Sequence, residues 1–243
     1  MKKSLLAVLF LVFIRIFSQD IPAQNQGLVK DPFFNNQNPQ GQSGKKVQHK
    51  HSDTFGVSPD KYDGNPVFSG NVVFEQQGSV LTADEVVWYQ KENFLKAIGN
   101  VVLTSADGSR ITAAEMEYDG ITQRGIARKN VVLTDPKQTI KTETLYYDKI
   151  PNTAYFNTGG TIYSNDGSVM YTKSATYNLN SKMIDFVGRS NIETDKYTIV
   201  SDNIKQNQNT GVSDFFGPTT IRDKKNPINY VYTEQGSYNS KTG

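Results

Sequence analysis

The chain has 243 residues, no cysteine and a nearly balanced charge, with 26 basic and 24 acidic residues. The lack of cysteine excludes disulfides, thiolate metal sites and attachment to a membrane through an acylated cysteine. Hydrophobic residues make up only 36%, yet tyrosine and phenylalanine number 13 each. This composition favours a thin β structure with a solvated face, and the charge pattern shows no basic stripe typical of nucleic-acid binding.

The first 18 residues are typical of an export signal. Lys2 and Lys3 precede an apolar run from Leu5 to Ile14, which is shorter than the roughly 20 residues of a membrane-spanning helix. An uncleaved anchor is the alternative. Residues 19–46 are rich in Gln, Asn, Gly and Pro and are predicted to form a disordered leader. Residues 47–243 form the predicted repeat domain, which is either truncated or open at its last strand.

A repeat of about thirty residues runs through this domain. It is marked by a pair that is Gly-Asn or similar, followed by two or three apolar residues. The pairs lie at 70–71, 99–100, 129–130, 159–160 and 189–190, so that they are 29 or 30 positions apart. A fixed period of this length predicts one structural unit stacked on itself, because a single unit cannot bury its own apolar face.

Further columns of residues follow the same period. One column is aromatic, and it contains Trp88, Tyr118, Tyr147 and Tyr177. Two residues before each of them lie Val86, Met116, Leu145 and Ala175. A spacing of two places both members on one face of a strand. Because turn signals interrupt the apolar runs and no helical period is sustained, each repeat is predicted to contain three short strands. The final segment 232–239 resembles segment 171–178.

Two motifs resemble the OstA-like, or LptA-type, periplasmic domains of lipopolysaccharide transport. They are Ala83-Asp84-Glu85-Val86-Val87-Trp88-Tyr89 and Lys96-Ala97-Ile98-Gly99-Asn100-Val101-Val102-Leu103. The resemblance covers roughly residues 47–240. It implies an all-β jellyroll, or β-solenoid, of stacked repeats whose two facing sheets form a V-shaped groove. It also implies that the apolar groove holds the acyl chains of a lipid A-type glycolipid during transport toward the outer membrane.

The resemblance further implies a periplasmic location and particular partners. These are an inner-membrane extraction complex, an outer-membrane assembly barrel, related β-jellyroll proteins of the same transport system, and copies of the chain itself stacked head to tail. The residues predicted to line the groove are the bulky ones that recur in each repeat: Val86, Trp88, Met116, Tyr118, Leu145, Tyr147 and Tyr177.

Two alternatives remain beside the lipid carrier. The same columns could pack against one another without a cavity, which would indicate a structural or adhesive surface solenoid with a dry core. The polar residues Asn191, Glu193 and Gln206 in the fifth repeat interrupt the predicted apolar path. The less favoured alternative is a polysaccharide-active solenoid enzyme, but acidic and basic residues are scattered over the repeats instead of being clustered on one face.

The sequence predicts neither catalysis nor a cofactor. The only histidines are His49 and His51, and with Asp53 they fall on one face of a strand. This segment aligns with an ordinary strand of the repeat, so a solvated strand face is favoured over a metal site. The chain is therefore predicted to be a carrier and not an enzyme.

Overall fold

The structure, a computed structural model, describes residue 28 and residues 30–35, 46–57, 59–60 and 62–242. Two short 3₁₀ helices lie at Pro32–Asn35 and Tyr62–Gly64. The strands are β1 (Gln48–His51), β2 (Thr54–Val57), β3 (Pro66–Gln76), β4 (Ser79–Tyr89), β5 (Phe94–Thr104), β6 (Arg110–Asp119), β7 (Arg124–Thr134), β8 (Gln138–Asp148), β9 (Thr153–Phe156), β10 (Gly160–Ser164), β11 (Val169–Asn178), β12 (Met183–Glu193), β13 (Tyr197–Asn207), β14 (Val212–Asp223) and β15 (Tyr230–Asn239). The all-β prediction is confirmed, whereas the predicted export signal lies outside the described residues.

The strands form one antiparallel sheet in which nearly every strand pairs with the next strand along the chain. The exceptions are two interrupted strands: β1 and β2 both pair with β3, and β9 and β10 both lie between β8 and β11. Each thirty-residue repeat thus contributes two long neighbouring strands, and the prediction of three short strands is wrong. The Gly-Asn pairs at 70–71 and 99–100 lie in the middle of β3 and β5.

The Gly-Asn pairs sit at β-bulges that bend the strands. Gly99 and Asn100 both have positive φ, +75° and +43°, and the register between β4 and β5 shifts at this point. A Cβ atom on Gly99 would lie only 2.4 Å from Asp84 Oδ2, and Asn100 Nδ2 donates a hydrogen bond to the same oxygen at 2.9 Å. Two successive left-handed residues suit Gly and Asn, so the repeated motif specifies the bends.

The sheet folds over on itself at these bends. Tyr118 and Gln76 lie near opposite ends of their strands, and in a flat sheet the length of strand alone would separate them by roughly 25 Å. Instead the Tyr118 hydroxyl donates to Gln76 Oε1 at 2.6 Å. We call the half of the sheet that carries Met116 and Tyr118 half-sheet A, and the half that carries Gln76 and Ile111 half-sheet B. Apolar side chains from both halves form one continuous core.

A segment of the predicted leader packs on the outer face of half-sheet A. Residues 30–34, which we call the strap, place Phe34 edge-on to Phe94 at 5.2 Å and Phe33 edge-on to Tyr146 at 5.3 Å between ring centroids. Over residues 30–35 the structure differs from the expected disorder, whereas most of the predicted leader 19–46 lies outside the described residues. Two adjacent phenylalanines bury enough apolar area to order a short segment whose average composition is polar.

Two ion pairs fix the N-terminal end of the strap. Lys30 Nζ lies 2.8 Å from Asp119 Oδ2, and Asp31 Oδ2 lies 3.2 Å from Arg128 Nη2. The Asp119 carboxylate also accepts hydrogen bonds from the backbone N–H groups of Ile121 and Thr122. The strap therefore holds the turn between β6 and β7, which is at the outer tip of half-sheet A.

Candidate functional site

The interior between the two half-sheets contains all seven residues predicted to line a groove. Six of them are buried, and Trp88 is half-buried against the same core. They are Val86, Trp88, Met116, Tyr118, Leu145, Tyr147 and Tyr177. The predicted columns therefore share one apolar space, as the period-two reasoning required. In this structure that space is filled by side chains from both halves.

The free tips of the half-sheets meet along one edge, which we call the mouth. The mouth is closed by side-chain contacts in successive repeats, and we call each set of contacts a latch. In the first latch the Tyr118 hydroxyl donates to Gln76 Oε1, and Gln76 Nε2 donates to the carbonyl of Gly120 at 2.8 Å. Lys149 Nζ donates to the carbonyl of Gln76 at 3.1 Å. Burial raises the pKa of the Tyr118 phenol, so this group stays protonated and able to donate.

The second latch repeats this arrangement one unit later. The Tyr147 hydroxyl lies 3.4 Å from Ser105 Oγ and donates to Asn152 Oδ1 at 3.1 Å. Asn152 Nδ2 in turn donates to Asp107 Oδ2 at 3.1 Å. Ser105 and Asp107 belong to half-sheet B, whereas Tyr147 and Asn152 belong to half-sheet A. These bonds therefore also join the two tips.

The third latch is charged. The Tyr177 hydroxyl donates to Asp135 Oδ2, and Lys182 Nζ contacts the same oxygen at 2.8 Å. The Asp135 side chain is fully buried, whereas 19% of the Lys182 side chain is exposed. Burial and the adjacent Asp135 carboxylate raise the pKa of Tyr177. These contacts compensate the Asp135 carboxylate for its lost hydration, so its burial has a structural explanation.

A fourth set of contacts replaces tyrosine with glutamine. Gln208 Nε2 donates to Ser164 Oγ at 3.2 Å and to Gln206 Oε1 at 3.0 Å. The polar residue Gln206 therefore belongs to the latch column and does not interrupt the apolar path as the sequence suggested. The sequence analysis missed the half-sheet B partners of the latches. These partners are Gln76, Ser105, Asp135 and Ser164, and their 29- or 30-residue spacing is a signal that could have revealed them.

The space behind the first latch is small. A cavity of about 20 Å³ is lined by Phe74, Leu81, Leu103, Tyr118 and other side chains of the core. This volume holds about one water molecule. The structure thus shows the interior in a closed and packed state, which differs from the open V-shaped groove that the resemblance implied.

Larger depressions lie on the solvent side of the bends. One of about 440 Å³ is lined by Lys141, Glu143 and Gly160 among others, and a second of about 370 Å³ includes Tyr171 and Arg189. Their walls combine charged side chains with apolar surface. None of the predicted groove residues lines either depression.

The histidine cluster has a packing role. The ring of His49 lies 4.3 Å from the ring of Phe68, and its Nε2 atom is 3.0 Å from Ser52 Oγ. His51 is exposed and lies 3.4 Å from Asp53. In the part of the chain that the structure describes, no three His, Asp or Glu side chains are grouped so that they could hold a metal ion. The helices in this same part are too short and too polar to cross a membrane.

The fold and the latched interior define an all-β repeat protein with a continuous apolar core between its half-sheets. Residues 44–202 match the family of OstA-like proteins, and the chain belongs to this family. The resemblance inferred from the sequence is confirmed. No curated protein matches the chain.

Two solved structures show partial similarity. The first is LptH, the LptA-homologous periplasmic component of the lipopolysaccharide transport device of Pseudomonas aeruginosa. It is 13% identical, the match covers 58% of this chain and 81% of that one, and the TM-score is 0.27. The second is a mutant TCP10 domain of CPAP from Danio rerio, with 12% identity, coverage of 74% and 99%, and a TM-score of 0.22.

Proposed function

We propose that this protein binds lipopolysaccharide, or a similar lipid A-type glycolipid, and carries it through the periplasm toward the outer membrane. The observation that carries the proposal is the continuity of the apolar core, which includes buried residues of every repeat from Phe68 to Phe215. Membership of the OstA-like family supports it. The protein acts as a carrier and not as an enzyme.

The physical reason for such a carrier is the cost of exposing acyl chains to water. Burial of each methylene group contributes about 0.8 kcal/mol, so a glycolipid with several acyl chains needs tens of kcal/mol to cross water unprotected. A continuous apolar interior removes this barrier without chemistry. Met116 and Leu145 lie in successive repeats of the core, and they would contact successive positions of a moving lipid.

We propose that the partners meet the chain at the ends of the sheet. The last strand, β15, exposes Tyr230, Val231 and Tyr232 and pairs with β14 alone among the described strands. An open strand edge of this kind can pair with another strand. We propose that this edge receives a second copy or a related β-jellyroll protein. The inner-membrane extraction complex and the outer-membrane assembly barrel would then lie at the two ends of such a stack.

The test is photocrosslinking to purified lipopolysaccharide. A photoreactive amino acid replaces Met116 or Leu145 in the interior, and a matched control replaces Glu117. Glu117 is adjacent to Met116 in sequence, but its carboxylate pairs with Lys96 and Arg128 on the outer face. We expect adducts at both interior positions and none at Glu117.

A second function is favoured by one observation, the close packing behind the first latch. A cavity of only about 20 Å³ fits a structural or adhesive surface protein with a dry core. Such a protein would give no adduct at Met116 or Leu145 while remaining folded by circular dichroism, and that result would contradict the carrier proposal. Extraction of the purified protein with organic solvent would then release no lipid.

A further inference from the structure

We propose that the latches form a lateral gate: the mouth opens sideways, repeat by repeat, to admit the acyl chains, and Tyr118, Tyr147 and Tyr177 are the residues that hold it shut. This inference rests on the proposed function and concerns how the ligand reaches the interior. It is carried by the geometry of the mouth and not by the family resemblance.

In the part of the chain that the structure describes, the hydrogen bonds given between the two tips all involve side chains. Within half-sheet A, the turns are joined by backbone hydrogen bonds such as Gly120 N–H to the Asn93 carbonyl at 2.8 Å. Within half-sheet B, Asn165 N–H donates to the Lys137 carbonyl at 3.0 Å. Between the halves, each hydrogen bond described at the tips has a side chain as donor, acceptor or both, as in the Tyr118–Gln76 pair. Separation of the two tips would therefore break none of the backbone-to-backbone hydrogen bonds described within the half-sheets.

The opposite edge of the interior cannot open in the same way. There the strands pass continuously from one half-sheet to the other through the bulges, so separation would require breaking the chain. The bulges contain residues in left-handed conformations, such as Gly70 and Gly99 at φ +75°. An outward swing of one half-sheet can be absorbed at these positions, because glycine tolerates a wide range of backbone angles.

The chemistry of the proposed ligand also requires an open mouth. A glycolipid keeps its charged sugar headgroup in water while its acyl chains are buried, because burial of unpaired charge is costly. A bound molecule must therefore extend across the mouth at the repeat that holds it. Movement from either end along a closed interior would force the headgroup past each latch. Opening of the latch at each occupied repeat avoids this.

The latches differ in strength along the chain. In the first two latches the tyrosine hydroxyl has neutral partners, Gln76 in one and Ser105 with Asn152 in the other. In the third the Tyr177 hydroxyl donates to the Asp135 carboxylate, which also contacts Lys182 Nζ at 2.8 Å. Charge-assisted bonds are roughly twice as strong as neutral ones. We therefore expect the mouth to open first near Tyr118 and Tyr147 and last near Tyr177.

The experiment uses the natural absence of cysteine. Gln76→Cys and Tyr118→Cys are introduced together into a chain that carries the photoreactive amino acid at Met116, and the two thiols are joined by a short bismaleimide. The reference is the same variant without the crosslinker, so that both samples lack the native latch. Purified lipopolysaccharide is added, and adduct formation at position 116 is followed over time.

We expect the locked protein to form adducts at least tenfold more slowly than the unlocked reference. Equal rates in the two samples would show that lipid reaches the interior from its ends, and this would overturn the gate while leaving the proposed function intact. Absence of adducts in the unlocked reference and in the parent chain would instead contradict the proposed function itself.

A milder variant tests the same gate without the bismaleimide that locks the mouth. Tyr147→Phe removes the latch hydroxyl and keeps the apolar ring. Loss of one hydrogen bond weakens the latch modestly. Adducts with lipopolysaccharide should therefore form about two- to tenfold faster than in the parent chain. The matched control is Tyr146→Phe, because Tyr146 faces outward and stacks on Tyr155 at 4.6 Å. Equal acceleration by both variants would contradict the role of the latch.

Discussion

Strands β11 and β15 have similar sequences but different environments. Tyr177 of β11 is almost completely buried in the third latch, whereas Tyr238, its counterpart in β15, is half-buried and meets Tyr197 edge-on at 5.9 Å. β11 has paired neighbours on both sides, and among the described strands β15 pairs with β14 alone. Burial in this protein is thus decided by the presence of the next repeat and not by the sequence of the repeat itself.

The largest expected contrast concerns apolar side chains in the middle and at the end of the sheet. Leu145→Ala should destabilise the protein by about 3 kcal/mol, because it leaves a cavity in a packed core. Val231→Ala, at the exposed edge, should change the free energy of unfolding by less than about 0.5 kcal/mol. Urea denaturation followed by circular dichroism measures both. Similar losses for the two variants would mean that β15 is covered in solution, for example by a second copy.

The charged latch should show the next largest effect. Lys182→Met leaves the buried Asp135 carboxylate without its cation, which we expect to cost about 2 kcal/mol. This is less than the roughly 3–5 kcal/mol seen for fully buried pairs, since Lys182 keeps partial contact with water. The double variant Lys182→Met, Asp135→Asn should recover much of the loss in the same denaturation experiment. No recovery would show that Lys182 stabilises the protein through another contact.

The two aligned tyrosines allow a direct comparison. Tyr177→Phe removes the hydroxyl that donates to Asp135, and we expect a loss of about 1–2 kcal/mol. Tyr238→Phe should cost less than about 0.5 kcal/mol, as is usual at partly exposed positions. The shift in thermal midpoint measured by calorimetry ranks the two variants. A larger shift for Tyr238→Phe would contradict the assignment of burial to neighbouring repeats.

The smallest effect is expected at the strap. Lys30→Ala removes the ion pair with Asp119, and since Lys30 is partly exposed the loss in stability should be at most about 1 kcal/mol. The effect should be local. Hydrogen exchange should become faster at the amides of Ile121 and Thr122, which donate hydrogen bonds to Asp119. Lys50→Ala is the matched control, because the Lys50–Glu75 pair is more exposed and does not hold a turn. Unchanged exchange at both amides would show that the turn is independent of the strap.

The period of the sequence predicted much of the fold and the location of the interior. The columns that contain Met116, Tyr118 and Leu145 face one apolar space, since a spacing of two fixes the face of a strand. The number of strands was wrong because a bulge and a strand end give the same local signal. Glycine and asparagine favour positive φ in either case.

Other features depend on contacts that are distant in sequence. The latches join residues 42 positions apart. The regular spacing of the half-sheet B partners therefore does not by itself show which tyrosine each partner contacts. The strap joins Lys30 to Asp119, which are 89 positions apart. Tertiary packing of Phe33 and Phe34 outweighs the polar composition that predicted disorder for this segment.

The pairing of each strand with its neighbours in sequence makes the length of the interior adjustable. A thirty-residue unit adds two strands, and adjacent strands are about 4.8 Å apart, so each inserted unit would extend the interior by roughly 10 Å. A new unit needs contacts only with the units before and after it. Duplication or loss of a repeat can therefore lengthen or shorten the interior without changing the other repeats.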